Sequence, residues 1–180
     1  FRDASRRFIP DVSRLPELQG GETLVSEYDI LEPILRTDGI SKLFKGFVDI
    51  VLALPKKRGS GRQLAIIDFK TCSWGWMASK KSDPLVQAQL HLYKHFLCRE
   101  FGTDPSTVRT AFVLLKKSAK EGTPAAEYVP VSSGPRSLET AVDMLQRAVT
   151  GMHSDVMERD HSRCQVRLDS GRLAGWGDCP

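Results

Sequence analysis

An α/β domain, one central mixed β-sheet flanked by helices, is what this sequence predicts, and three observations carry the expectation. Along the chain come three strand-like segments, a helix, one or two further strands and a second helix, the order of a layered α/β domain. The segments at 45–54 and 64–69 are apolar on both faces, as strands covered on both sides are, so they belong at the centre of the sheet. The composition, 41% hydrophobic and 27% charged over 180 residues, is globular and sufficient for one core.

Each element has its own reason. Residues 1–22 carry Pro10, Pro16, Gly20 and Gly21 with little periodicity and read as an irregular lead-in. LVSEYDILEPIL at 24–35 roughly alternates polar and apolar residues, which marks a strand. After a turn at Asp38 and Gly39, KGFVDIVLAL and QLAIIDFK flank the basic, glycine-containing loop PKKRGSGR, the pattern of a hairpin. Ser82, Asp83 and Pro84 combine a capping side chain with proline in the first turn, so a helix starts there and stops at Gly102. VRTAFVLL at 108–115 is the next strand, and EYVPV at 127–131 a shorter one. From Ser137, apolar residues at Leu138, Val142, Leu145, Val149, Met152 and Val156 recur every three or four positions, an amphipathic helix. One domain is expected, with its core at about 24–158 and an irregular tail at 159–180. Because the first residue is Phe1 rather than methionine, a piece of a longer chain is expected.

No apolar run approaches the roughly 20 residues that cross a bilayer, and FRDASRRF is not a secretory signal, so a soluble, cytoplasmic protein without a membrane partner is expected. The net charge of +4 suits a polyanionic partner without identifying one. Cys72, Cys98, Cys164 and Cys179 form no C-x-x-C pair, and reduced thiols are the simpler reading.

The chemistry lies in charges placed where strands should be buried. Asp68 and Lys70, two apart in IIDFKT, share a strand face, and Asp49 interrupts the preceding apolar strand in the same way. Isolated ionised groups there cost several kcal/mol or more unless paired or bound to metal. One resolution is an internal ion pair of Lys70 with Asp68 or Asp49, which leaves one carboxylate over. The other is that Asp49 and Asp68 converge on Mg²⁺ or Mn²⁺, with the backbone carbonyl of Phe69 adding an oxygen and Lys70 orienting an attacking water. Such a set suits metal-assisted hydrolysis of a phosphodiester.

Gly46-Phe47-Val48-Asp49 matches a G-x-x-D element, Asp68-Phe69-Lys70-Thr71 a D-x-K-T element, and Gln89 with Tyr93 a Q-x-x-x-Y element on the following helix. In this order and spacing the chain resembles the PD-(D/E)XK nuclease superfamily, in particular its RecB-like exonuclease branch of CRISPR-associated and phage recombination nucleases. The resemblance covers roughly 24–115. It implies a restriction-endonuclease-like core and a Mg²⁺- or Mn²⁺-dependent deoxyribonuclease acting on DNA single strands or duplex ends in recombination, repair or phage replication. It makes Asp49 and Asp68 metal ligands, Lys70 the catalytic lysine, and Gln89 and Tyr93 residues facing the site. An inactive DNA-binding or assembly module and a structure-specific endonuclease on the same fold are the alternatives.

The chain departs from that family twice. Members usually carry a further metal ligand on a helix before the G-x-x-D strand. No such helix is evident here, so Glu27 is the best substitute and Glu32 the second, although each also reads as an ordinary strand carboxylate. Some members bind an iron-sulfur cluster through one cysteine before the core, but none precedes Cys72, so no cluster is expected.

Trp74 and Trp76 follow the D-x-K-T strand and could stack on a base, or pack against the core, the better reading for Trp76. Lys80, Lys81, Lys116 and Lys117 could track a phosphate backbone or form solvated surface. His91 and His95 are spaced to grip one metal, yet surface or satisfied histidines are the expectation.

Overall fold

The structure, a computed structural model, describes residues 11–37, 40–55, 63–153, 165–167 and 173–176. It divides into two compact units, Phe1–Met144 and Leu145–Pro180. In the first lie β1 (Glu22–Thr37), β2 (Ile40–Leu54), β3 (Gln63–Cys72), the one-turn helix α1 (Ala78–Lys81) and α2 (Pro84–Glu100). A 3-10 turn (Pro105–Thr107), β4 (Val108–Lys116) and β5 (Ala126–Val131) follow, and α3 (Pro135–His153) runs across the division. The second unit also holds the antiparallel pair β6 (Gln165–Arg167) and β7 (Leu173–Trp176).

The expected α/β architecture is present: five strands in the order β1-β2-β3-β4-β5, antiparallel except for β3 and β4. That parallel pair needs a crossover, and α2 supplies it. Asp83 caps α2 by accepting a hydrogen bond from the Leu85 N–H at 2.9 Å, with Pro84 in the first turn. Gly102, just past the helix, has φ of +58°, the left-handed conformation that glycine adopts without strain.

Both faces of β3 are covered, which explains its unbroken apolar run. On one side Ala65 and Ile67 pack with Leu52, Leu54, Ala111 and Val113, and Val12, Leu15 and Leu18 lie against them. The lead-in is therefore partly structural: residues 11–13 are helical, and the stretch from Val12 to Leu18 helps close one face of the sheet. Ile66, Phe112 and Leu114 are fully buried, each worth about 1.5–3 kcal/mol relative to exposure.

The first two strands are longer than the sequence suggests, and β2 begins at Ile40 rather than 45. β2 pairs with β3 only from Ile50 to Leu54, so the rest of β1 and β2 forms a ribbon beyond that ladder. The turn at Asp38 and Gly39, the loop at 56–62 and the helix residues expected at 154–156 lie outside the described residues. Cys72 and Cys98 are free thiols, while Cys164 and Cys179 also lie outside. No described helix is long and apolar enough to cross a membrane.

Candidate active site

The site forms where β2 parts from β3. Their ladder ends at Ile50 opposite Ile67, so the next residues in register are Asp49 and Asp68. From there Asp49 replaces the missing backbone partner: its Oδ2 accepts a hydrogen bond from the Phe69 N–H at 2.6 Å. The N–H and C=O of one strand residue point to the same edge, so the Phe69 carbonyl also faces the side that β2 has vacated.

A change of phase in the ribbon occurs at the same level. Val25 and Tyr28, three residues apart, both line the apolar cleft on the α2 side of the sheet, although strict alternation would put them on opposite faces. On β2, Gly46 touches Tyr93 of α2, and Val51 lines that cleft, while Ile50 and Leu52 pack on the far face. Between these residues sits Glu27, with φ of +52°. A non-glycine residue held there costs about 1–3 kcal/mol. Glu27 is exposed, and no group of three or more His, Cys, Asp or Glu side chains able to hold a metal occurs among the described residues. Its role is thus in the backbone, where it lets β1 change face, and it does not supply the third carboxylate expected of it. Glu32 stands farther along the ribbon, opposite Phe44, and supplies none either.

Asp68 is only 2% exposed. Its Oδ1 accepts a hydrogen bond from Gln89 Nε2 at 2.8 Å, and the same nitrogen lies 2.8 Å from the Tyr93 hydroxyl, so the Q-x-x-x-Y pair joins the site. Its Oδ2 lies 2.8 Å from Lys70 Nζ, the internal ion pair weighed from the sequence. That oxygen is buried, and the Lys70 ammonium is its one close partner among the described residues. Burial pushes the Asp68 carboxyl above its usual range, Lys70 pulls it back, and the neighbouring Asp49 charge pushes it up again. One ammonium thus faces two carboxylates, one of them Asp49, and the excess is a negative charge.

This donor set, the carboxylates of Asp49 and Asp68 and an open carbonyl edge, fits a small divalent cation that retains several waters.

Glycine at 46 is dictated by α2. A Cβ there would stand 2.7 Å from Tyr93 Cε1 and 2.9 Å from the Phe44 ring, which itself stacks on Phe96 at 4.7 Å between centroids. Gly46→Ala is therefore expected to destabilise by about 1–3 kcal/mol through overpacking. A denaturant midpoint equal to wild type would contradict this.

The surroundings are less basic than the sequence implies. Lys81 lies 2.5 Å and Lys116 3.2 Å from the carboxylate of Glu127, so one acid offsets part of their charge and the three groups keep a net positive charge. Lys80 stands 4.7 Å over the Trp76 ring, and Trp76 packs against Phe112 at 5.1 Å, a core-edge position. Trp74, 70% exposed, and the exposed Lys117 face solvent. His91 is buried and satisfied, its Nε2 lying 3.1 Å from the Ser132 carbonyl oxygen, and burial lowers its pKa. His95 packs edge-on against Phe96, so it too is engaged with its surroundings.

No family model matches the chain, and no curated protein matches it. Among solved structures it is similar to one titled "Crystal structure of SSO0001", with 17% identity and a TM-score of 0.42. The match covers 85% of this chain and 60% of that one, so the chain spans less than two thirds of that protein's length.

Proposed function

We propose that this chain is a metal-dependent deoxyribonuclease of the PD-(D/E)XK superfamily, RecB-like branch, that hydrolyses phosphodiester bonds as an exonuclease. The observation that carries the reading is the meeting of Asp49, Asp68 and Lys70 at the open end of parted strands, with the buried Oδ2 of Asp68 held by the Lys70 ammonium alone among the described residues. Three strands, a crossover helix and a parallel fourth strand, with the G-x-x-D, D-x-K-T and Q-x-x-x-Y residues on the first two inner strands and that helix, support it.

Mg²⁺ or Mn²⁺ held by Asp49, Asp68 and the Phe69 carbonyl would supply Lewis acidity to the scissile phosphate. The chain's own residues do the rest. Gln89, tied to the Tyr93 hydroxyl, fixes Oδ1 of Asp68 and so sets where Oδ2 points. Lys70, part-exposed beside Oδ2, orients the attacking water and counters the negative charge that grows on the phosphate. Phe112 lies beneath that ammonium, with 5.9 Å from Nζ to the ring centroid, and excludes water from one side. DNA as substrate, with Lys117, Lys80 and Trp74 at the approach, also implies an intracellular location.

A second reading, a nuclease-like DNA-binding or assembly module without turnover, draws on one observation: no third acidic group joins the site among the described residues. Incubation of closed-circular and linear DNA, single-stranded and duplex, with Mg²⁺ or Mn²⁺ separates the readings. The exonuclease degrades only linear DNA. Cutting of circles makes it an endonuclease, and binding without cutting in either metal favours the module.

A further inference from the structure

The ribbon of β1 and β2 beyond the ladder with β3 has one face packed and one face open. Ile30 and Val48 are fully buried on the packed face, where Gly46 touches Tyr93 of α2. The residues between them belong to the other face. There Asp29 pairs with Phe47, Leu31 with Lys45 and Pro33 with Leu43, and all six are exposed. An antiparallel face left to water is ordinarily polar, yet four of these six residues are apolar, with Leu31 60%, Leu43 52% and Phe47 52% exposed. A contiguous apolar patch of this kind marks an interaction surface.

The two charges on the face say what covers it. Among the described residues neither Asp29 nor Lys45 has an ion-pair partner within 4.0 Å, and Lys45 Nζ leans over the Phe47 ring at 4.9 Å from its centroid. One acid and one base cancel, so the face offers no excess charge to a polyanion. Its layout is self-complementary instead. In the pairing register Asp29 and Lys45 occupy one diagonal, Leu31 and Phe47 the other. A two-fold axis lying in the face along the diagonal from Leu31 to Phe47 sets each of these apolar residues against its own counterpart. The same rotation brings Asp29 onto Lys45 of the partner subunit, and Lys45 onto Asp29 of the partner subunit. Edge-to-edge pairing of β1, the outermost strand, is the poorer route, because Pro33 has no N–H and the left-handed backbone of Glu27 breaks the pleat.

We propose that this open face of the ribbon docks a second copy of the chain in an isologous dimer, with Leu31 and Phe47 at its centre and two ion pairs of Asp29 with Lys45 beside them. The proposal does not depend on the nuclease reading. Six residues a side is far below the roughly 20–30 of a standard interface, so the dimer is weak, with a dissociation constant on the order of 10–100 μM.

Sedimentation equilibrium of the full chain in EDTA, over about 1–500 μM, tests this through charge reversal. Wild type is expected to pass from monomer to dimer across that range. Asp29→Lys and Lys45→Asp, each first shown to be folded by circular dichroism, place like charges across the axis, so either variant alone should need at least about tenfold more protein to dimerise. Mixed in equal amounts, the two variants oppose lysine to aspartate at both contacts, and the mixture should regain wild-type association as a heterodimer. Phe47→Ser should abolish the dimer. Asp29 and Lys45 are exposed, and should either reversal fail to fold, the wild-type concentration series and Phe47→Ser carry the test. A wild type that stays monomeric throughout gives the face to a different partner and overturns the proposal. A dimer that survives either reversal unchanged, or a mixture that associates no better than its two components, overturns it as well.

Discussion

Asp68→Asn is expected to yield a protein that no longer cuts DNA yet, in chelator at neutral pH, melts higher than wild type. The loss of activity should be on the order of 10²–10³ or more, because the charge that holds the cation and the oxygen beside Lys70 vanish together. The gain in stability follows from burial. The folded-state pKa of Asp68 is raised above the usual 3.8, so folding favours its protonated form. Such a group contributes its stability fully below 3.8, and that contribution is lost as pH rises through the raised folded value. Asparagine, permanently neutral, escapes the loss. The melting difference between variant and wild type should thus open as pH climbs above 3.8 and be absent below it. A variant less stable than wild type throughout would mean that Lys70 and Gln89 overcompensate the buried charge.

Lys70→Met should be equally inactive, by about 10²–10⁴, but should move stability the other way. Its removal leaves Asp68 and Asp49 together with no cation, and breaking a buried pair from one side typically costs about 3–5 kcal/mol. Lys70 is part-exposed, so the lower figure of about 1–3 kcal/mol is expected at neutral pH, shrinking as acid protonates Asp68. Denaturant titrations at neutral and acidic pH check this. Two inactive variants with opposite effects on stability would point to a site whose strain serves function, whereas a site built only as a salt bridge would weaken with either change.

Much of the fold was legible because local and global signals agree. The cap at Asp83, the proline after it and the glycine past Phe101 fix the ends of α2, and the double-sided apolar runs of β2 and β3 place them inside the sheet. Asp49, Asp68 and Lys70 stood out as charges in apolar strands, a pattern with a chemical reason, while Gln89 and Tyr93 were reached only through the family resemblance. What stayed hidden depends on long-range geometry. Period-2 reasoning assumes an unbroken pleat, and nothing in the residue type of Glu27 announces the left-handed backbone that shifts β1 by one face. Lys81 and Lys116 look like free cations until the fold brings both to Glu127. Val12, Leu15 and Leu18 lie in a lead-in whose prolines and glycines read as irregular, so their packing on the sheet depends on the fold. The burial of Lys94 comes from its packing against Ser133, a contact between distant parts of the chain.

The most direct measurement is digestion of end-labelled linear DNA by wild type, Asp68→Asn and Lys70→Met in Mg²⁺, Mn²⁺ and EDTA, each protein first shown to be folded by circular dichroism. The nuclease account predicts cutting by wild type in metal alone and none by either folded variant. Cutting that persists in EDTA, or a folded variant that cuts as wild type does, would contradict it.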